Sequence, residues 1–160
     1  MTYELATIQQ LYEIYNIVQY TIKNIYPKYY PAEVVDFFCE LHSQDAILKD
    51  IENGHVRVVK VDGKIIATGC FVGNHITRVY VLPEYQKKGY GTLMIKNMEA
   101  EIAKTYEKVY LDASLPAVSL YEKLGFCTVK HEKYAVKNNA VLVYEVMEKK
   151  EINRWIPENI

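Results

Sequence analysis

A chain of 160 residues carries a formal charge of −1, with 50% hydrophobic and 24% charged residues and only seven glycines and five prolines. Those figures exclude a disordered or collagen-like chain and predict one globular domain, residues 1–160, with room for a sizeable core. Near-neutral charge, without zinc-finger spacing or a long arginine run, argues against a nucleic-acid role. Cys39, Cys70 and Cys127 are odd in number and widely spaced, which fits buried thiols in a reducing compartment. The first residues hold no basic and apolar leader, and no run approaches the roughly twenty apolar residues of a membrane span. A cytoplasmic enzyme or binder, away from membranes, is the expectation.

In chain order, residues 2–5 read as an edge strand. Thr7 then caps a helix over 8–22, with Leu11, Ile14, Tyr15 and Val18 spaced for one buried face. Pro27 and Pro31 break it, and a second helix starts with Pro31 in its first turn. A third, short helix covers 46–52 and ends at Asn53-Gly54. From His55 the period becomes strand-like: 55–61, a turn at Asp62-Gly63, 64–72, a turn at Gly73-Asn74, then 75–81. This is an antiparallel meander. A helix over 92–105 leads to a strand over 109–113, and the strand–helix–strand path predicts that 109–113 runs parallel to 75–81. A short helix covers 116–124. Residues 126–133 and 140–149 pair as a hairpin, and 151–160 form a tail packed through Trp155.

The meander runs into residues 79–95, which read as a strand end, a basic glycine turn (Gln86-Lys-Lys-Gly-Tyr-Gly91) and a helix start. Gly89 and Gly91 let the backbone approach a ligand, and the first N–H groups of a helix are unpaired. Together with the helix dipole, Lys87 and Lys88 make a seat for a diphosphate. A glycine pair of this kind also simply ends many strands, and the lysines read equally well as solvated charges. The dinucleotide fingerprint fails, because its third glycine position is Met94, and a dehydrogenase is a poor reading. No phosphate loop or serine elbow appears, and His42, His55 and His131 show no metal-ligand spacing.

A second motif, Leu120-Tyr-Glu-Lys-Leu-Gly-Phe126, follows at a fixed remove. With the glycine turn it resembles the GCN5-related N-acetyltransferase (GNAT) family, over about residues 55–149. The resemblance implies an α/β fold: a mixed, mostly antiparallel twisted sheet flanked by helices, with splayed central parallel strands. It implies acetyl-CoA as cofactor and direct acetyl transfer to a primary amine, on a small molecule or a protein, and leaves room for a homodimer. The first fifty residues would then help form the acceptor cleft.

By the same resemblance, Gln86, Lys87, Lys88, Gly89, Tyr90 and Gly91 wrap the diphosphate, with Thr92 opening the helix. Val79, Tyr80 and Val81 offer main chain to the pantetheine amides, and an N–H near Val81 meets the developing oxyanion. Ser114 stands where many relatives have an asparagine touching the cofactor. Tyr121 takes the place of the hydroxyl that assists the departing sulfur, although a packed tyrosine is the plain alternative in a chain with fifteen. Relatives place a glutamate base early on the strand before the turn, a place that falls near His75; a turn histidine beside Gly73-Asn74 fits too. Glu84 and Asp112 are further carboxylates, and the base stays unassigned. A catalytically idle acyl-CoA sensor shares every phosphate-binding residue. A protein-interaction domain is the third reading; the aromatic segment from Tyr26 to Tyr30 could supply a partner surface, line an acceptor pocket, or pack the helical flap.

Overall fold

A computed structural model describes residues 1–152, so the expected packing of Trp155 lies outside the described residues. Seven strands form one sheet in the order β1-β2-β3-β4-β5-β7-β6. They are β1 (Thr2–Leu5), β2 (Val56–Val61), β3 (Lys64–Val72), β4 (His75–Val81), β5 (Lys108–Ser114), β6 (Cys127–Ala135) and β7 (Val141–Lys150). Neighbours are antiparallel except β4 and β5, which run parallel, as the strand–helix–strand path predicts. Helices α1 (Leu11–Ile25), α2 (Ala32–Leu41) and α3 (Gln44–Glu52) cover one face. Helices α4 (Tyr90–Ile102) and α5 (Val118–Lys123) cover the other.

Each face has its own apolar layer. Ile14, Val18, Ile22, Val34 and Ile47 are fully buried on the α1–α3 side, and Met94, Ile95, Met98, Leu111 and Met147 on the α4 side. Covered on both faces, β3 is buried continuously from Ile65 to Cys70 and so runs apolar without alternation. Gly69 sets the distance of α4 from the sheet. A Cβ there would lie 2.8 Å from the sulfurs of both Met94 and Met98. At the far edge, β6 is largely exposed and carries Lys130, His131, Glu132 and Lys133, charges that discourage pairing with another chain.

Several boundaries differ from the sequence expectation by a few residues, and in three helices the local reason is plain. The first helix is α-helical only from Leu11 and runs on to Ile25, because Pro27 sits in a following 3-10 turn that needs no N–H from it. The third begins at Gln44, two residues early, where Ser43 caps it by accepting the Ala46 N–H at 3.2 Å. The fourth begins at Tyr90, because Gly89, at φ +88°, adopts the left-handed conformation that turns the chain into the helix.

The feature that makes the site is the loss of pairing between β4 and β5. Only His75–Tyr110 and Ile76–Leu111 are in register. One residue later Thr77 is an extra residue in β4 against β3, its hydroxyl bonded to the Cys70 carbonyl at 3.3 Å. Such a bulge bends its strand and increases its twist. Beyond it, β4 and β5 diverge as a fork.

Candidate active site

The fork opens into a cleft of about 800 Å³ that runs from the glycine turn to the aromatic side chains of α2. On its β4 wall the main chain alternates. The Leu82 N–H bonds to Ile66 O at 2.9 Å, and Tyr80 lies opposite Thr68, two residues along the same ladder. The main chain of Tyr80 is therefore spent on β3, whereas that of Val79 and Val81 turns towards β5, which no longer pairs there. The Val79 main chain and the Val81 N–H, not Tyr80, carry the free edge; the Val81 carbonyl is already taken by side chains. Tyr80 contributes its side chain instead.

The turn is braced from within. The Gln86 amide donates to Val81 O at 2.9 Å, so the glutamine closes the loop and is not free for a phosphate. Lys87 at φ +59° and Gly89 at φ +88° give the concave backbone that points N–H groups outward, and Tyr90, Gly91 and Thr92 open α4 with no carbonyl a turn earlier. A Cβ on Gly89 would meet nothing within 4 Å, so open space lies before the donors. These features suit a diphosphate. Of the two lysines, only Lys87 lines the cleft; the Lys88 ammonium sits 5.3 Å from the Tyr85 ring, which also packs edge-on against Tyr90. We expect Lys87→Glu to raise the KM for acetyl-CoA roughly tenfold by placing a like charge at that seat. Lys88→Glu should raise it by a smaller factor, and steady-state kinetics with each variant compares them.

On the opposite wall, Tyr121 of α5 is 6% exposed, lines the cleft and packs edge-on against Phe126 at 5.5 Å. Burial pushes its hydroxyl pKa up, so it stays protonated across the physiological range. Its hydroxyl has no hydrogen-bond partner among the described residues. Ser114 also lines the cleft, but its hydroxyl is held by Tyr26 at 3.0 Å, and Tyr26 in turn donates to Tyr80 at 3.2 Å. Tyr26 thus ties the two prongs of the fork together from the end of α1. Burial raises the pKa of Tyr26 and of Tyr80 as well.

His75 lies at the closed end of the fork, four residues before Val79, or about 13 Å along the strand. It stacks on Tyr110, with ring centroids 4.3 Å apart and planes within 10°, and its Nε2 is 3.5 Å from Asp112 Oδ2. Burial lowers its pKa and the Asp112 carboxylate partly offsets this. Asp112 lines the cleft two residues nearer the open end; Glu84 is outside it, beside Lys64 at 3.9 Å. Sequence reasoning offered Tyr26 as a lining of an acceptor pocket, and it does line the cleft, but gave no site role to His42, Asp50 or Arg78. Arg78 is buried on β4, with Nη2 2.7 Å from Asp50 and Nε 3.3 Å from His42 Nδ1. Those partners lie 28 and 36 residues away, so no local pattern announces them.

A fork with two free main-chain edges, running into a helix start with an open anion seat, defines a site for an elongated phosphate-bearing cofactor. A family model described as an acetyltransferase (GNAT) domain matches residues 25–149, and the chain belongs to that family of acetyl-CoA-dependent acetyltransferases. It is similar to an N-alpha-acetyltransferase of Saccharolobus solfataricus, with 28% identity over 153 residues that cover 86% of this chain and 88% of that protein. An N-alpha-acetyltransferase of Sulfolobus acidocaldarius is 38% identical over 65 residues, 38% of this chain and 39% of that one. Among solved structures, a GCN5-related N-acetyltransferase from Rhodopseudomonas palustris superposes with a TM-score of 0.85 at 18% identity, covering 93% and 94% of the two chains. The PaiA N-acetyltransferase of Thermoplasma acidophilum, in complex with coenzyme A, gives 0.71 at 21% identity over 94% and 99%. At those identities the likeness is one of fold. Among the described residues no helix is long and apolar enough to cross a membrane, and no cluster of His, Cys, Asp or Glu could hold a metal ion.

Proposed function

We propose that this chain works as a single-domain N-acetyltransferase that moves acetyl directly from acetyl-CoA to a primary amine. The names of its curated relatives point to an α-amino group as the acceptor. The observation that carries the reading is the β4–β5 fork, along which Val79 and the Val81 N–H face no strand partner, leading to the glycine turn. Acetyl-CoA, when bound, supplies an acetyl thioester.

The chain's residues then divide the work. The N–H groups of Tyr90, Gly91 and Thr92, with Lys87, hold the diphosphate. Val79 and Val81 hold the amide-bearing arm, and one of their N–H groups meets the negative charge that develops on the carbonyl oxygen. The amine nitrogen forms the new C–N bond as the C–S bond breaks. Tyr121 gives its proton to the departing sulfur, and Asp112 with His75 takes the proton that the amine loses. None of the three cysteines lines the cleft, and burial pushes the thiols of Cys39 and Cys70 up, away from the reactive thiolate. This favours direct transfer over an acetyl-cysteine.

The test is a calorimetric titration with acetyl-CoA followed by an acceptor screen that measures free thiol. Binding with amine-dependent thiol release is the expected result. No binding at millimolar acetyl-CoA would overturn the reading, and binding without release from any amine would leave the idle sensor. A pH profile tests the base. A histidine accepts a proton only when neutral, so kcat/KM should rise with pH through the His75 pKa, and that midpoint should lie below the ordinary 6.5 because burial lowers it. His75→Gln should remove that acid limb; an unchanged profile would take His75 out of the proton path.

A further inference from the structure

The α1–α3 side of the cleft ends in two N–H groups with nothing to receive them. Arg78 is 6% exposed; its Nη2 and Nε are used by Asp50 and His42, while its Nη1 has neither a partner nor contact with solvent. His42 is 7% exposed and set edge-on to Tyr80 at 5.6 Å. Because Arg78 donates into its Nδ1, the ring carries its proton on Nε2. Burial first, and then the Arg78 charge, push its pKa down to about 3, so the ring is neutral at physiological pH. Its Nε2–H finds no acceptor among the described residues, and both residues line the cleft. The Arg78 Nη1–H is a buried donor left unpaired, which is costly, whereas the His42 Nε2–H keeps contact with the open cleft, where an oxygen that arrives from elsewhere can reach it.

The wall across the fork has the opposite character. From the last paired residues, Ile76 and Leu111, Arg78 is two positions along and Asp112 one, so the carboxylate stands nearly level with the donors. A carboxylate there attracts an amine; the His42 N–H opposite takes an oxygen. We propose that His42, oriented by Arg78 through Nδ1, forms a carbonyl subsite whose Nε2–H donates to a carboxylate or peptide carbonyl oxygen on the carbon beside the acceptor amine, so that the enzyme selects α-amino acids or peptide N-termini over plain amines. This rests on the acetyl-transfer reading and adds the part of the acceptor that the enzyme grips.

The experiment uses the whole chain with coenzyme A bound and histidines labelled with ¹⁵N. Glycine, glycylglycine, glycinamide and methylamine are titrated while the His42 Nε2 resonance is followed, and kcat/KM is measured for the same four with acetyl-CoA. The first three should move the resonance and methylamine should not. Acceptors with the carbonyl should exceed methylamine by at least roughly tenfold in kcat/KM. Glycine against glycylglycine then separates a free amino acid from a chain N-terminus. His42→Phe should abolish the preference, and His42→Gln, which keeps an N–H donor and an acceptor for Arg78, should restore part of it. A resonance that stays still, or moves equally with methylamine, overturns the subsite even if thiol is released. A resonance that moves only with the carbonyl compounds, without thiol release, upholds the subsite and sinks the transfer reading. The wild-type titration decides even if the His42 variants fail to fold.

Discussion

Tyr121→Phe should lower kcat and kcat/KM together by ~10² to 10⁴, the usual worth of a positioned proton donor. Three features of the site make this the largest expected catalytic effect. The ring is 6% exposed and rests edge-on against Phe126, so phenylalanine keeps the packing. The hydroxyl lines the cleft and is not committed to another residue among those described. Its raised pKa, caused mainly by burial, keeps the proton available at working pH. A tyrosine that merely packs would leave turnover near wild type once folding is matched. One that only grips the cofactor in the ground state would raise the acetyl-CoA KM and spare kcat. Steady-state kinetics with a verified acceptor, under conditions where chemistry limits the rate, separates the three, and unchanged turnover there removes the leaving-group role while the fork and the anion seat stand.

The second large effect is on stability. Asp50→Ala should destabilise the fold by about 3 kcal/mol, or roughly 10 °C in melting temperature for a chain of this size. The Arg78 side chain is 4% exposed and that of Asp50 26%, so removing the carboxylate strands a guanidinium away from water. Asp36→Ala is the control, because its partner Lys137 and Asp36 itself are each more than half exposed and solvent screens the pair. A chemical-denaturation midpoint that falls for Asp50→Ala and holds for Asp36→Ala is the expected pattern. Equal shifts would mean that Arg78 finds another partner, and the wall described above would lose its rigidity. Arg78 sits directly before Val79, whose free edge faces the fork. Loss of Asp50 should therefore cost activity as well as stability.

The two halves of the molecule differ in how far sequence reasoning reached. Alternating and 3.6-residue patterns placed the seven strands and five helices within a few residues, because the burial demanded of each element is periodic along its own stretch of chain. The turn from Gln86 to Gly91 was legible for the same reason: the left-handed Gly89 and the helix start after it lie within a few residues of one another. Motif resemblance singled out Tyr121. By itself, then, the sequence determined the elements, the parallel placement of β5 beside β4, and the glycine turn at the start of α4.

Only the tertiary structure decided how the neighbours share that frame. It gave the free main-chain edge to Val79 and the Val81 N–H and not to Tyr80, since a ladder's alternation depends on register with β3. It turned Lys88 towards Tyr85 and left Lys87 at the cleft. It bound Gln86 to Val81, joined Tyr26 to Tyr80 and Ser114, and brought His42 and Asp50 to Arg78 across 36 and 28 residues. Such pairs leave no periodic trace, because either partner alone reads as an ordinary polar residue. They acquire meaning only when chain crossings bury them together, where an unpaired donor costs what water would otherwise have supplied.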